Sequence, residues 1–221
     1  MTIQEAISRR HTVRSYTSRS LPEDIAAQLR GRIEEHNRTS GLCMGLVTGN
    51  TEAFNAAIKL VLAKNVRNYI ILAGKDGPDT QERLGYCGAD VMLFAQTLGL
   101  NTWWVGGTYS RKGVRKHAAA DAGILAGVIA VGYGTTQGVP HKSKGPEEIA
   151  SYGGPAPEWF RKGVEAVLLA PTALNKQAFT IRGEGTQVSM SCDNGIFSAV
   201  DLGIGKYHFE VGAGRENFQW R

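Results

Sequence analysis

Near the N-terminus, Arg10-His11-Thr12-Val13-Arg14 places two guanidiniums, an imidazole and a hydroxyl within five residues. Guanidinium forks match phosphate oxygens in pairs, so this spacing suits a phosphate. It suits a solvated helix end equally, because cations meet the negative pole of the backbone there. A second group, Gly99-Leu-Asn-Thr-Trp-Trp-Val-Gly-Gly107, sets two tryptophans beside paired glycines. Bare backbone at Gly106-Gly107 lets a planar ligand approach and meet amide N–H groups. Core packing followed by a loop is the plain alternative. In a third, Gly132-Tyr-Gly134 leads into Pro140-His-Lys142-Ser-Lys144, a basic pair fit for a phosphate or for solvent. The fourth, Ala170-Pro171-Thr172-Ala173-Leu-Asn175-Lys-Gln177, offers short polar side chains after a helix-breaking proline. These can hydrogen-bond a polyol or a heteroaromatic edge, or simply cap a short turn.

The elements that must position these groups follow from pattern. Thr2-x-x-Glu5 is a capping box, so a short helix ends near Arg10. Ser20-Leu-Pro-Glu23 reads as a second box, and Ile25, Leu29 and Ile33 give an amphipathic helix over 21–36. Apolar runs at 68–73, 102–105 and 124–133 read as buried strands, and 79–98 as a long helix. The Gly-, Pro-, Lys- and Ser-rich stretch 135–156 reads as a linker. A helix at 158–169 ends at Pro171. Strands near 178–182 and 186–190 meet at a Gly183-Glu-Gly185 turn, and a last helix spans 196–211. Strands that do not alternate strictly with helices imply an α+β fold. Residues 88–99 and 203–214 are two glycine-bounded helical segments, a weak internal repeat.

Composition excludes several classes. The 221 residues are 42% hydrophobic, too apolar for a disordered chain. Glycine, 28 of 221, has no collagen period. The net charge of +5 comes without a long block of like charge. No nucleic-acid-binding signature accompanies the arginines at 9, 10, 14 and 19. Cys43, Cys87 and Cys192 are isolated, and the five histidines are scattered, so neither a disulfide framework nor a metal site is expected. No secretory signal or membrane-spanning run appears, which points to a reducing cytoplasm.

Together the four groups resemble the FMN-dependent nitroreductase family. The resemblance runs from residue 6 to about 214 and places the chain in a divergent branch. It implies an α+β nitroreductase-like fold, with a central, mostly antiparallel sheet flanked by helices. It implies that Arg10, His11, Thr12 and Arg14 bind the phosphate and ribityl chain of FMN. Trp104, Val105, Gly106 and Gly107 would pass along the isoalloxazine ring, with Gly106 where the family often has an acid. Lys142 and Lys144 would grip the phosphate. Pro171, Thr172, Ala173 and Asn175 match the Pro-Ser-x-x-Asn loop that covers the flavin, with Gln177 just beyond.

In the family that loop follows the first amphipathic helix. Here Glu35-His-Asn-Arg-Thr-Ser-Gly41 holds that place, and the loop comes at 171. Two identical subunits of ordinary members share each flavin site; here one chain holds both sets. The expectation is a single globular domain of two pseudo-symmetric halves, 1–145 with the Arg motif, Gly segment and Lys pair, and 146–221 with the Pro-Thr-x-x-Asn loop. A monomer could then suffice, and a homodimer stays open. The implied activity is FMN-dependent NAD(P)H oxidoreduction of nitroaromatics, quinones or similar small acceptors by a ping-pong cycle. The flavin carries the chemistry, so no acid–base side chain is assigned. Tyr109, Trp103 and Phe179 are candidates to line the acceptor pocket. The alternative is a flavin protein of the same fold serving dehalogenation, flavin cleavage or flavin sensing.

Overall fold

The computed structural model describes residues 1–221. Its first part runs through helices α1 (Ile3–Arg9) and α2 (Glu23–Ser40), strand β1 (Gly45–Val47) and the short helix α3 (Ala56–Val61). Strand β2 (Tyr69–Gly74), helix α4 (Thr80–Thr97), strand β3 (Asn101–Val105), helix α5 (Arg111–Arg115) and strand β4 (Ile124–Gly132) follow. The second part holds α6 (Pro146–Ile149), β5 (Ala150–Tyr152), α7 (Glu158–Leu168), β6 (Phe179–Glu184), β7 (Gln187–Cys192), α8 (Ser198–Ala213) and β8 (Gln219–Trp220).

The fold is α+β. One sheet, ordered β1-β2-β4-β3, is antiparallel throughout. Tyr69, Ile71 and Ala73 of β2 pack with Trp103 and Val105 of β3 on one face. Ile70 and Leu72 pack with α2 and α4 on the other. With both faces covered, β2 is apolar at every position, which explains its unbroken run. A second sheet, β5-β6-β7-β8, is mixed, with an antiparallel central pair and parallel outer pairs. The order α2-β1-β2-α4, interrupted by α3, thus has a counterpart in α7-β6-β7-α8.

Three local expectations are corrected. The box at Ser20 does not form: α2 begins after Pro22 without a side-chain cap. Proline is tolerated there because the first helical N–H groups have no intrahelical acceptor anyway. The stretch 135–156 is not only a linker, since it contains α6 and β5. The Gly145 amide donates to the Glu148 carboxylate at 2.5 Å, and Ile149 is buried, which anchors that turn. Glu184 is still in β6, so the hairpin turns at Gly185, with φ of +55°. Gly183 lies inside the strand, where a Cβ would crowd the rings of Tyr152 and Phe160.

The two segments of the weak repeat lie in α4 and α8, which pack on each other. A Cβ on Gly85 would collide with the Val200 carbonyl, and one on Gly203 with the Glu82 carbonyl. Helix α8 is also pressed on its other side. Gly212 meets the Lys162 carbonyl of α7, and Gly205 meets the ring of Phe179. A helix enclosed from all sides needs no polar stripe, and α8 has almost none.

One buried charge ties this packing together. Asp90 of α4 is 1% exposed. It accepts from Arg32 Nε at 2.6 Å and Nη2 at 2.7 Å, from His36 Nε2 at 2.6 Å, and from the Tyr207 hydroxyl. Burial alone would raise its pKa, but donation from His36, Arg32 and Tyr207 prevails and holds the carboxyl well below its ordinary range. Burial alone would lower His36, but hydrogen bonding to Asp90 and Cys87 lifts it to about 9 from 6.5.

The sign of the linkage follows. His36 has a raised folded pKa, so its contribution is complete below pH 6.5 and is lost as pH rises through about 9. The Asp90 contribution is complete above the unfolded value of 3.8 and is lost on acidification. In urea unfolding, His36→Gln should flatten the decline of stability between pH 7 and 9.5; an unchanged slope would refute the assignment. Asp90→Ala should lower stability by about 3–5 kcal/mol, because it leaves buried donors unpaired.

Candidate functional site

The segment after α1 is built onto the end of the first sheet. Thr12 bridges Thr102 of β3 in parallel, with Val13 N donating to Thr102 O at 3.1 Å. Gly138 folds over it, so close that a Cβ there would lie 2.8 Å from the Cβ of His11. This docking fixes the side chains around it. Arg10 caps α1 and is only 3% exposed. Its Nε has no hydrogen-bond partner. None of the ion pairs in the chain includes it. Burial lowers its pKa to about 10, which leaves it charged at neutral pH. Burial and then the charges of Arg10 and His141 lower His11. Arg14 behaves differently. It is exposed and stacks over Trp103, 5.4 Å from the ring centroid.

Strand β3 carries the chain to Gly106. Its two tryptophans point to opposite faces, as strand alternation requires. Trp103 joins the core on the α3–α5 side, stacked on Phe54 with centroids 5.6 Å apart. Trp104 faces α4, where Gly88 makes room for its ring. The bare backbone at Gly106 is covered by protein: a Cβ there would lie 2.8 Å from the ring of Phe197, the residue preceding α8. Gly107 is exposed, with the same ring 3.7 Å from its Cβ position. The sequence singled out the glycines but not the aromatic ring seated on them.

The basic pair and the 171–177 loop form one network. Gln177, 1% exposed, accepts from the Lys144 amide through Oε1 at 2.8 Å. Its Nε2 donates to the Leu168 carbonyl at 2.8 Å and lies 3.1 Å from His141 Nε2. Lys144 Nζ donates to the Gln177 carbonyl at 3.0 Å. Asn175 Nδ2 donates to the Lys142 carbonyl at 2.7 Å. Lys144 is therefore already used in holding the loop, and Lys142 is exposed. Thr172 accepts from the Gln177 amide at 3.1 Å, closing the loop on itself.

Leu174, Asn175 and Gln177 have φ of +54°, +55° and +46°. Such left-handed geometry is strained for residues with a Cβ and persists only where surroundings enforce it. Leu174 is also 91% exposed, so packing does not explain it. One restraint is Asp201 of α8, whose carboxylate accepts from the Ala173 amide at 3.0 and 3.2 Å. Burial raises Asp201 to about 6, against the opposing pull of that amide and of Lys176.

The structure thus joins the His141–Lys144 stretch to the 171–177 loop, and sets α8 against both Gly106 and Ala173. Pro171 and Ala173 are half-buried in that loop. No hydrogen bond or ion pair connects Arg14 with this network. Tyr109, Trp103 and Phe179 are core residues: Tyr109 donates to the Leu125 carbonyl at 3.2 Å, and Phe179 lies in the core of the second sheet. Their burial removes them as candidates for an acceptor pocket.

A family model described as "Putative TM nitroreductase" matches residues 2–213. The chain belongs to this family. That membership makes it a nitroreductase-type oxidoreductase by descent. A putative nitroreductase of Thermotoga maritima superposes with a TM-score of 0.69 at 24% identity, over 98% of this chain and 85% of that one. One from Exiguobacterium sibiricum, solved in complex with FMN, gives 0.54 at 12% identity, over 67% of this chain and 95% of that one. An FMN- and NADPH-dependent nitroreductase from Sphingopyxis gives 0.52 at 18% identity, over 70% and 100%. At these identities the likeness establishes the fold. A search of curated proteins gave no match. No helix of this family member is long and apolar enough to cross a membrane.

Asp201 offers a test of the loop geometry. Its folded pKa exceeds the unfolded 3.8, so the protonated form is favoured by folding and stability declines as pH rises from about 4 to 6. Asp201→Asn keeps an acceptor for Ala173 and should abolish that decline. Asp201→Ala removes the acceptor, and exchange of the Ala173 amide should speed up by about tenfold or more, the effect of losing one charge-assisted hydrogen bond. Equal exchange in both variants would show that Asp201 does not hold the loop.

Proposed function

We propose that this chain is an FMN-dependent NAD(P)H oxidoreductase acting on nitroaromatics, quinones or similar small acceptors. The observation that carries the reading is Arg10. A buried guanidinium without an acid partner is costly, and an anionic ligand removes that cost. Phosphate is the anion whose oxygens its fork fits in pairs. His11 and Thr12 lie beside it on the same segment, and Lys142 brings a further cation on an exposed loop.

FMN, when bound, supplies the redox chemistry, accepting a hydride from NADH or NADPH and passing it on in a ping-pong cycle. The protein's part is to bind, orient and exclude water. Arg10 holds the phosphate end from inside the fold. Trp104, Val105, Gly106 and Gly107 provide the edge along which a planar ring lies, and Phe197 must yield part of the space over Gly106. The loop from Pro171 to Gln177, fastened by Lys144 and Asp201, covers the site from the second part of the chain. Arg14 is placed over Trp103 and makes the smaller contribution to affinity.

We further propose that the halves 1–145 and 146–221 act as a fused pseudo-dimer with one flavin per chain. The α-β-β-α order repeated in each half and the facing α4 and α8 support this. A monomer then suffices for the site.

The purified protein should be yellow and release FMN on denaturation. Arg10→Ala should weaken FMN binding by about ten- to a hundredfold, the range for losing charge-assisted phosphate contacts. Arg14→Ala should have a smaller effect. NAD(P)H oxidation in the presence of a quinone should accompany the bound flavin. A colourless protein that takes up no added FMN would overturn the reading, and flavin without turnover would leave a binder in place of an enzyme.

A further inference from the structure

Besides Arg10 Nε, three buried side-chain atoms have no hydrogen-bond partner: Gln96 Oε1, Thr102 Oγ1 and His208 Nε2. His208 lies on α8 and is fully buried. Its Nδ1 is 2.8 Å from the Ile204 carbonyl. A carbonyl can only accept, so Nδ1 carries the hydrogen. In the neutral ring Nε2 is then a bare acceptor. Burial, with the positive charge of Arg10 acting in the same direction, lowers the imidazole to about 3 and keeps it neutral.

Helix geometry brings the two orphan atoms to the same level. Ile7 of α1 and Ile204 of α8 share one core cluster. Arg10 follows Ile7 by three residues and His208 follows Ile204 by four, so each sits about one turn beyond the shared contact. A charged donor and a neutral acceptor, both without partners, therefore occupy adjoining positions where α1 ends against α8.

We propose that His208 is a positioning residue for Arg10, orienting the guanidinium for a phosphate-bearing ligand. The inference rests on the flavin reading above and adds a residue from the second half of the chain to it. Neutrality is the chemical point. A carboxylate at this position would pair with Arg10 and compete with a phosphate dianion. A neutral imidazole nitrogen restrains the guanidinium and leaves its charge available. The nearby carboxylate of Asp90 does not interfere, because Arg32, His36 and Tyr207 occupy it.

The test compares two probes that differ only in the phosphate, FMN and riboflavin, titrated into the full chain. Wild-type binding of FMN tests the flavin reading itself. His208→Phe keeps the volume and burial but removes the acceptor. It should weaken FMN about tenfold, the loss of one hydrogen bond to a charged group, with riboflavin affinity unchanged within twofold. His208→Gln, which restores an acceptor, should recover part of the loss. An unchanged FMN-to-riboflavin ratio in His208→Phe, whether both affinities hold or both fall, overturns the proposal. Should that variant not fold, the wild-type protein decides. The His208 Nε2 resonance should shift on addition of FMN and not of riboflavin, and the same response to both would refute the role.

Discussion

The close contact of α4 with α8 is the constraint on which the rest depends. The helices approach at Gly85 and Gly203, each facing a carbonyl of the other helix, where no side chain fits. The approach draws together parts of the chain that are more than 100 residues apart. It sets Phe197 over Gly106, Asp201 beneath Ala173 and His208 beside the end of α1. A wider spacing would dissolve all three relations at once. Glycine at these positions is unfavourable to an isolated helix, by roughly 0.5–1 kcal/mol relative to alanine. Here tertiary packing outweighs that.

Two buried charges lie near this contact and differ in one respect. Asp90 is surrounded by donors from α2 and α8, so its burial is satisfied within the protein. Arg10 is as deeply buried but has no anion beside it. The first arrangement consolidates the fold, and the second is chemically incomplete until an anionic ligand arrives. The 171–177 loop shows the same incompleteness in its backbone. Three left-handed residues are held by Asp201, Lys144 and Thr172, while Leu174 points outward without packing. Loops so strained and so fastened are typical of ligand-covering segments.

Much of this fold was legible in the sequence because its signals are local. The capping box at Thr2, the apolar run of β2 and the helical stretch that became α4 each carry their own pattern. The motifs around Arg10, Gly106 and Lys142 stood out because glycine and clustered cations are conspicuous. What the sequence hid is non-local or too short to have a period. β1 has three half-buried residues, and β8 has two. Asp90 sits in an apolar helix with partners 54 to 117 residues away, so nothing nearby announces them. Phe197 and His208 are ordinary residues of a glycine-rich stretch until α8 is docked. The acceptor-pocket candidates Tyr109, Trp103 and Phe179 misled because an aromatic near a motif looks the same whether it lines a cleft or fills a core.

The central claim is that one chain builds the whole flavin site from both of its halves. Hydrogen exchange of the monomer at saturating FMN tests it directly. The account predicts one FMN per chain, with simultaneous protection of residues 10–14, 104–107 and 171–177. Protection confined to the first two segments, or a stoichiometry other than one, would contradict it.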